Sequence, residues 1–133
     1  MRRYLMLVVT LSLLVLAACQ PVSPEQANAD FCADLEAYKT ALTSLTTLTP
    51  ESTVQETNVV LGTVDEAREN LQDSARILAD VRLDDLDEAY EDMDDAIRDI
   101  SETDTISSAV TTIQDQVANV SAAYDELFAG NCE

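Results

Sequence analysis

Apolar residues recur along most of this chain in steps of three and four, the period of one face of an α-helix. Phe31, Leu35, Tyr38, Leu42, Leu45 and Leu48 form a first stripe. Val54, Leu61, Val64, Leu71, Ala75 and Leu78 form a second, and Leu86, Tyr90, Met93, Ile97 and Ile100 a third. The fourth is the most regular: Ile106, Val110, Ile113, Val117, Val120, Tyr124 and Leu127. Between residues 25 and 129 only Gly62 and Pro50 interrupt this pattern.

The boundaries follow from local chemistry. Ser23-Pro24-Glu25-Gln26 predicts a helix start, with Ser23 as N-cap, Pro24 at the first helical position and Gln26 closing a capping box. Thr49-Pro50-Glu51-Ser52 ends that helix and opens the next, because proline is tolerated only in a first turn; the second helix is read from 50 to about 80. Its first half, Thr53 to Val64, is rich in β-branched residues and contains Gly62, both poor helix formers. The eight-residue step from Leu78 to Leu86 breaks the rhythm and predicts a turn near 80–84, with Asp84 as N-cap and Asp87 in the first turn. Asp104 or Thr103 caps the last helix, and Gly130-Asn131 ends it through a left-handed residue.

The first nineteen residues have a different character. Met1-Arg2-Arg3 is basic, and Tyr4 to Leu16 is apolar except for Thr10 and Ser12. That run is short for a span of about 20 residues and fits a cleaved signal peptide. Leu16-Ala17-Ala18-Cys19 resembles the lipobox of bacterial lipoproteins. The resemblance implies cleavage before Cys19, a diacylglyceryl thioether on its sulfur and usually an acylated (palmitate-type) amino group. It covers only the N-terminal nineteen residues. Two or three acyl chains anchor durably where one binds marginally. In proteobacterial lipoproteins an Asp after the lipidated cysteine retains the protein in the inner membrane. Gln20 stands there, which implies the periplasmic side of the outer membrane, or the outer face of the plasma membrane in a single-membrane cell. The chain then divides into a signal peptide (1–18), a lipidated tether (19–23) and a helical domain (24–133).

With Cys19 committed to lipid, Cys32 and Cys132 remain, and an exported location makes a disulfide between them the leading expectation. Its Cα atoms must then lie within about 7 Å of each other. Cys32 belongs to the first turns of helix one and Cys132 follows helix four. In an up-down bundle an even number of helices brings those ends together. The alternative, one continuous helix from 50 to 102 and hence a three-helix bundle, would have a middle helix spanning roughly 75 Å, which makes the bridge difficult. The expected fold is an all-α, antiparallel up-down four-helix bundle. Only Gln20 to Ser23 separate the lipid from the first cap, about 15 Å of chain. The disulfide end and the 80–84 turn therefore face the membrane, and the loops around Pro50 and Thr103 point away.

Charge narrows the function. Of 133 residues, 26 are acidic, 7 are basic and none is histidine, a net charge of −19. Loss of residues 1–18 removes Arg2 and Arg3 and leaves −21. The absence of histidine excludes His-based triads, His general bases and Glu-x-x-His di-iron sites. The negative charge argues against binding nucleic acid through its phosphates. Apolar content of 47% is that of a folded domain, not of a disordered acidic tail.

Acid is densest between Val81 and Asp104, where eleven carboxylates face only Arg82 and Arg98. Asp84, Asp87, Glu88, Glu91, Asp92 and Asp95 are the candidate ligands for a divalent cation, since Ca²⁺ takes carboxylate oxygens. No EF-hand spacing is present, and helical carboxylates diverge around their axis, so a solvated acidic face is the expectation. Tyr38, Tyr90 and Tyr124 occupy stripe positions, as packed rings with hydroxyls at the core edge do. Asn119-Val120-Ser121 matches a glycosylation acceptor, which has no meaning in a bacterial chain. Lys39 is the only lysine, and the excess of Asp suits a salty habitat or reflects coding bias.

No nucleophile has an identifiable base. The expectation is therefore a non-enzymatic, lipid-anchored envelope protein without cofactor, acting as a structural or accessory module on a protein partner. The alternative is a lipoprotein that binds cations or a small molecule.

Overall fold

The computed structural model describes residues 22–100, 107 and 109–132, and all four elements in them are helices: α1 (Pro24–Leu45), α2 (Val54–Ala75), α3 (Asp84–Arg98) and α4 (Val110–Asn131). They pack as a four-helix bundle in which α1 lies against α2 and α4, and α3 against α4. A continuous middle helix is ruled out by the separation of α2 from α3 at residues 76–83.

The stripes are the core. Phe31, Leu35, Tyr38, Leu42 and Leu45 of α1 are buried, as are Val54, Leu61, Val64, Leu71 and Ala75 of α2. Leu86, Tyr90, Met93 and Ile97 complete it from α3, with Ile113, Val117, Val120 and Tyr124 from α4. Leu48, Leu78, Ile100, Val110 and Leu127 pack against its edge half-buried. Ile106 lies outside the described residues.

Helix ends depart from the sequence reading in five places, each for a local reason. Ser23 caps α1, its hydroxyl accepting from the Gln26 N–H at 3.2 Å. The Gln26 side chain does not complete a capping box; it donates to Asp30 Oδ1 at 2.8 Å. The second helix begins at Val54 rather than 50. Thr53 and Glu56 form a full capping box, which satisfies two orphan amide donors, and Pro50 sits instead in a turn closed from Ser52 N–H to Thr49 O at 2.9 Å. That box anchors the β-branched half of α2. The same helix stops at Ala75, not near 80, as Ile77 and Leu78 donate three residues back and tighten the end.

α3 begins at Asp84 itself, with Leu83 as a cap that makes no side-chain bond. Asp84, Asp85 and Asp87 in the first turn and Arg98 in the last compensate by complementing the helix dipole. At the end of the chain, α4 runs straight through Gly130 and Asn131, and neither described glycine takes a positive φ. The Asn131 side chain donates to Leu127 O at 2.8 Å and the Cys132 N–H to Phe128 O at 2.8 Å, so no left-handed residue is required. The proposed caps Thr103 and Asp104 lie outside the described residues; α4 starts after Ala109.

The first and last helices are fastened at one end. Cys32 and Cys132 stand with Cα atoms 5.7 Å apart and sulfurs at bonding distance. Asn28 Nδ2 donates to Asn131 O at 3.3 Å beside them. Seven residues further along α1, Lys39 reaches Asp125, seven residues back along α4, at 3.2 Å. These two links fix an antiparallel register between α1 and α4.

Two measurements check these statements. A closed loop of 100 residues stabilises by up to about 4–5 kcal/mol in the chain-entropy model. The Cys32→Ser/Cys132→Ser double variant should therefore unfold at markedly lower urea while keeping its helical circular dichroism without denaturant. Equal midpoints would mean that the thiols are not bonded. Second, the Thr53 N–H and hydroxyl hold the Glu56 carboxyl below its ordinary value of 4.5. A depressed carboxyl stabilises above its unfolded pKa, and that contribution is lost as pH falls through the folded value. The difference in melting temperature between the parent and Glu56→Gln should be greatest near neutral pH and should shrink below pH 4.5.

Candidate functional site

The seam between α2 and α3 is polar. It follows from two substitutions in the α2 stripe, where Thr57 lies between Val54 and Leu61, and Arg68 between Val64 and Leu71. Thr57 is fully buried and returns its hydroxyl to Thr53 O at 3.1 Å. Arg68 reaches across to α3, where its Nε donates to Asp87 Oδ1 at 2.9 Å. Gln72 Nε2 donates to the same oxygen at 3.1 Å. The Arg68 guanidinium also lies 4.4 Å from the centroid of the Tyr90 ring. Nearer the other end of α2, the Tyr90 hydroxyl donates to Asp65 Oδ1. A step of three residues forward from Asp65 to Arg68 matches a step of three back from Tyr90 to Asp87. This seam too is antiparallel and in register.

Electrostatics follow from burial and proximity. Burial works against the Arg68 charge, but the bond to Asp87 and that carboxylate's charge outweigh it and hold the guanidinium above its ordinary pKa. Burial, then the Asp65 carboxylate, push the Tyr90 hydroxyl well above its ordinary value. Tyr38 reaches toward the same cluster from α1 and is 0% exposed, yet its hydroxyl has no hydrogen-bond partner. Burial, opposed by Arg68, raises its pKa far beyond the usual range. Tyr124, the third stripe tyrosine, packs on Phe128 with ring centroids 5.8 Å apart and carries Lys39 over its face at 4.5 Å.

Beyond Asp65 the seam opens into a groove of about 350 Å³ lined by Val54, Asn58, Leu61, Gly62, Asp65, Ile97, Arg98 and Ile100. Its apolar residues share the lining with an amide, a carboxylate and a guanidinium, and the exposed lining is more polar than apolar. A Cβ at Gly62 would meet no atom within 4 Å, so this glycine leaves space at the groove wall. Arg98 on the rim is bound to Asp94 Oδ2 at 2.6 Å, which holds its pKa up. The groove lies at the end of the bundle opposite the paired cysteines.

The acidic residues singled out from sequence do not converge. Asp84 and Asp87 sit in the first turn of α3, Asp84 3.9 Å from Arg82 and Asp87 engaged by Arg68 and Gln72. Glu88, Glu91, Asp92 and Asp95 are all exposed around the helix. Among the described residues, no group of three or more His, Cys, Asp or Glu side chains is close enough to hold an ion. Cys19 lies outside the described residues. Among those described, no helix is long and apolar enough to cross a membrane.

The sequence reading missed Asp65, Arg68, Gln72, Asn58 and Arg98 as site residues. The legible signal was the seven-residue gap from Val64 to Leu71, with a charged residue at the core-facing position between them. Comparison with protein-family models, curated proteins and solved structures finds no match for this chain.

The two tyrosines of the seam separate cleanly by mutation. Tyr38→Phe removes a hydroxyl that is buried without a partner and should be neutral or stabilise by up to about 1 kcal/mol. Tyr90→Phe removes a donor to a carboxylate and should cost roughly 1–2 kcal/mol. Urea unfolding of both variants checks the pair, and a clear loss in Tyr38→Phe would show that its hydroxyl is bonded.

Proposed function

We propose that this chain is a lipid-anchored protein of the bacterial cell envelope, non-enzymatic, that works as an accessory module presenting the outer end of its bundle to a protein partner. Cys19 carries the lipid, and residues 1–18 are the signal that directs it there. The observation that best supports the reading is the polarity of the bundle. The cap of α1 at Ser23 follows Cys19 by four residues, and that end is fastened by Cys32 against Cys132. The groove of Asn58, Gly62, Asp65 and Arg98 lies at the opposite end, where a partner approaching from solvent meets it first. A mostly polar lining that includes a carboxylate and a guanidinium beside apolar side chains suits a small, polar protein contact. A lipid anchor supplies location, a rigid bundle supplies distance from the membrane, and the groove supplies the contact.

Photo-crosslinking in intact cells tests this reading. A photoreactive residue at Asn58, in the groove, should capture one recurring protein neighbour. The same group at Thr40, on the side of α1, should not. The Cys19→Ala chain should lose both membrane fractionation and the crosslink. Capture of nothing at Asn58 across repeated trials, or unchanged fractionation of Cys19→Ala, would overturn the proposal.

A further inference from the structure

Asn58, Gly62 and Asp65 stand four and three residues apart, so they follow one line along α2 and form one wall of the groove. Ile97 and Arg98 of α3 lie across from them. α2 and α3 meet here through side chains rather than by close backbone approach, which leaves a slot between the two helices. Glycine weakens a helix interior more than any residue except proline. Nothing within the fold requires it at position 62, since its φ is not positive and a Cβ would meet no atom within 4 Å. The bare backbone there is open to a group from outside.

The polar groups of the slot are unequally satisfied. Asp65 Oδ1 accepts from the Tyr90 hydroxyl, whereas Asp65 Oδ2 has no partner among the described residues, and neither has the exposed Asn58 amide. Arg98 is held by Asp94 Oδ2, and Asp94 Oδ1 is buried without a donor. Two carboxylates thus stand against one guanidinium. Each of the five described basic residues is paired with an aspartate, so no unpaired cation waits there for an anionic group. What the slot lacks is a cationic donor.

We infer that the groove receives a lysine side chain of the protein partner, which enters at Asn58, crosses Gly62 and sets its ammonium on Asp65 Oδ2. The inference rests on the proposed reading of this groove as a protein contact and names the chemistry of what fills it. Asn58 and Asp65 are separated by seven residues, about 10 Å along α2. An extended lysine and its own backbone span that distance. The apolar stem lies over Gly62 against Leu61 and Ile97, as the stems of long cationic side chains do, and the Asn58 amide meets the partner's backbone. Tyr90 already takes one oxygen of Asp65, so the two-pronged pairing that favours arginine is not on offer. Val59, 67% exposed beside Asn58, adds an apolar contact at the mouth.

Amide chemical shifts of the full-length chain, purified from membranes with its native N-terminus, test the slot directly. The probe is a capped alanyl-lysyl-alanine peptide at physiological salt, with the glutamyl peptide as its control. The lysyl peptide should shift Asn58, Gly62, Asp65 and Ile97 saturably, and the glutamyl peptide should not. Gly62→Met fills the slot at a position with room for a side chain, so it should unfold at the same or higher urea and bind the lysyl peptide several-fold more weakly. Shifts spread along the exposed carboxylates of α3, or undiminished binding by Gly62→Met, would overturn the inference. Crosslinking from Asn58 in cells separates the two readings. If a neighbour is captured there but the lysyl peptide does not bind, the lysine is wrong and the protein contact stands. If nothing is captured, the contact reading falls and the inference with it.

Discussion

The constraint on which the rest of the bundle depends is the meeting of its first and last helices at one end. Cys32 and Cys132 can approach to 5.7 Å between Cα atoms only if the chain returns to its starting end after α4. In an up-down arrangement that requires an even number of helices, and so a break in the long helical stretch after Pro50. The break falls at residues 76–83, where the apolar rhythm skips. The same closure puts the start of α1, the end of α4 and the α2–α3 turn on one end, and leaves the groove at the other.

Closure fixes topology but not register, and two seams supply that in different ways. Between α1 and α4, the cysteine pair and the Lys39–Asp125 contact are two points seven residues apart. The second is exposed and contributes little energy on its own. Between α2 and α3, Asp65–Tyr90 and Arg68–Asp87 are two points three residues apart, partly shielded from solvent. A slip of one turn along either helix would strand a guanidinium or carboxylate against the core, which costs far more than the bonds gain in place. Polar groups at this seam therefore specify a single alignment. The unpaired hydroxyl of Tyr38 beside them is a cost of the arrangement rather than a support for it.

The sequence made the core legible because burial obeys periodicity, and every described stripe residue from Phe31 to Leu127 is buried or half-buried. The topology was legible from two cysteines and one broken interval. Helix ends were less so, because several residues compete to cap a given end and the winner depends on geometry a few residues away. Thr53 with Glu56 displaced Pro50, and a side chain at Asn131 removed the need for a left-handed glycine. The groove was not legible. Asn58, Gly62 and Arg98 carry no pattern of their own, and only the pairing of α2 with α3 in space brings them together.

A helix as acidic as α3 can lie against α2 only if the facing positions do not set carboxylate against carboxylate. Asp65 points into that seam, and Asp94 of α3 stands near enough to add to the field on Tyr90. The residue that meets Asp65 is Tyr90, a neutral donor whose ring fills the core and whose hydroxyl reaches the carboxylate. Asp94 is turned to Arg98 on its own helix, and Asp87 is met by Arg68 from the other. Each carboxylate at the seam thus has a donor, be it a guanidinium, the Gln72 amide or a phenol whose pKa burial raises, although Asp94 Oδ1 itself is buried without a partner. Every basic residue of the described chain is spent in the same manner, on an aspartate: Lys39, Arg68, Arg76, Arg82 and Arg98. The surplus of acid then remains on the outer faces, where water solvates it and salt screens it. That division lets one sequence carry so large a negative charge and still close a core.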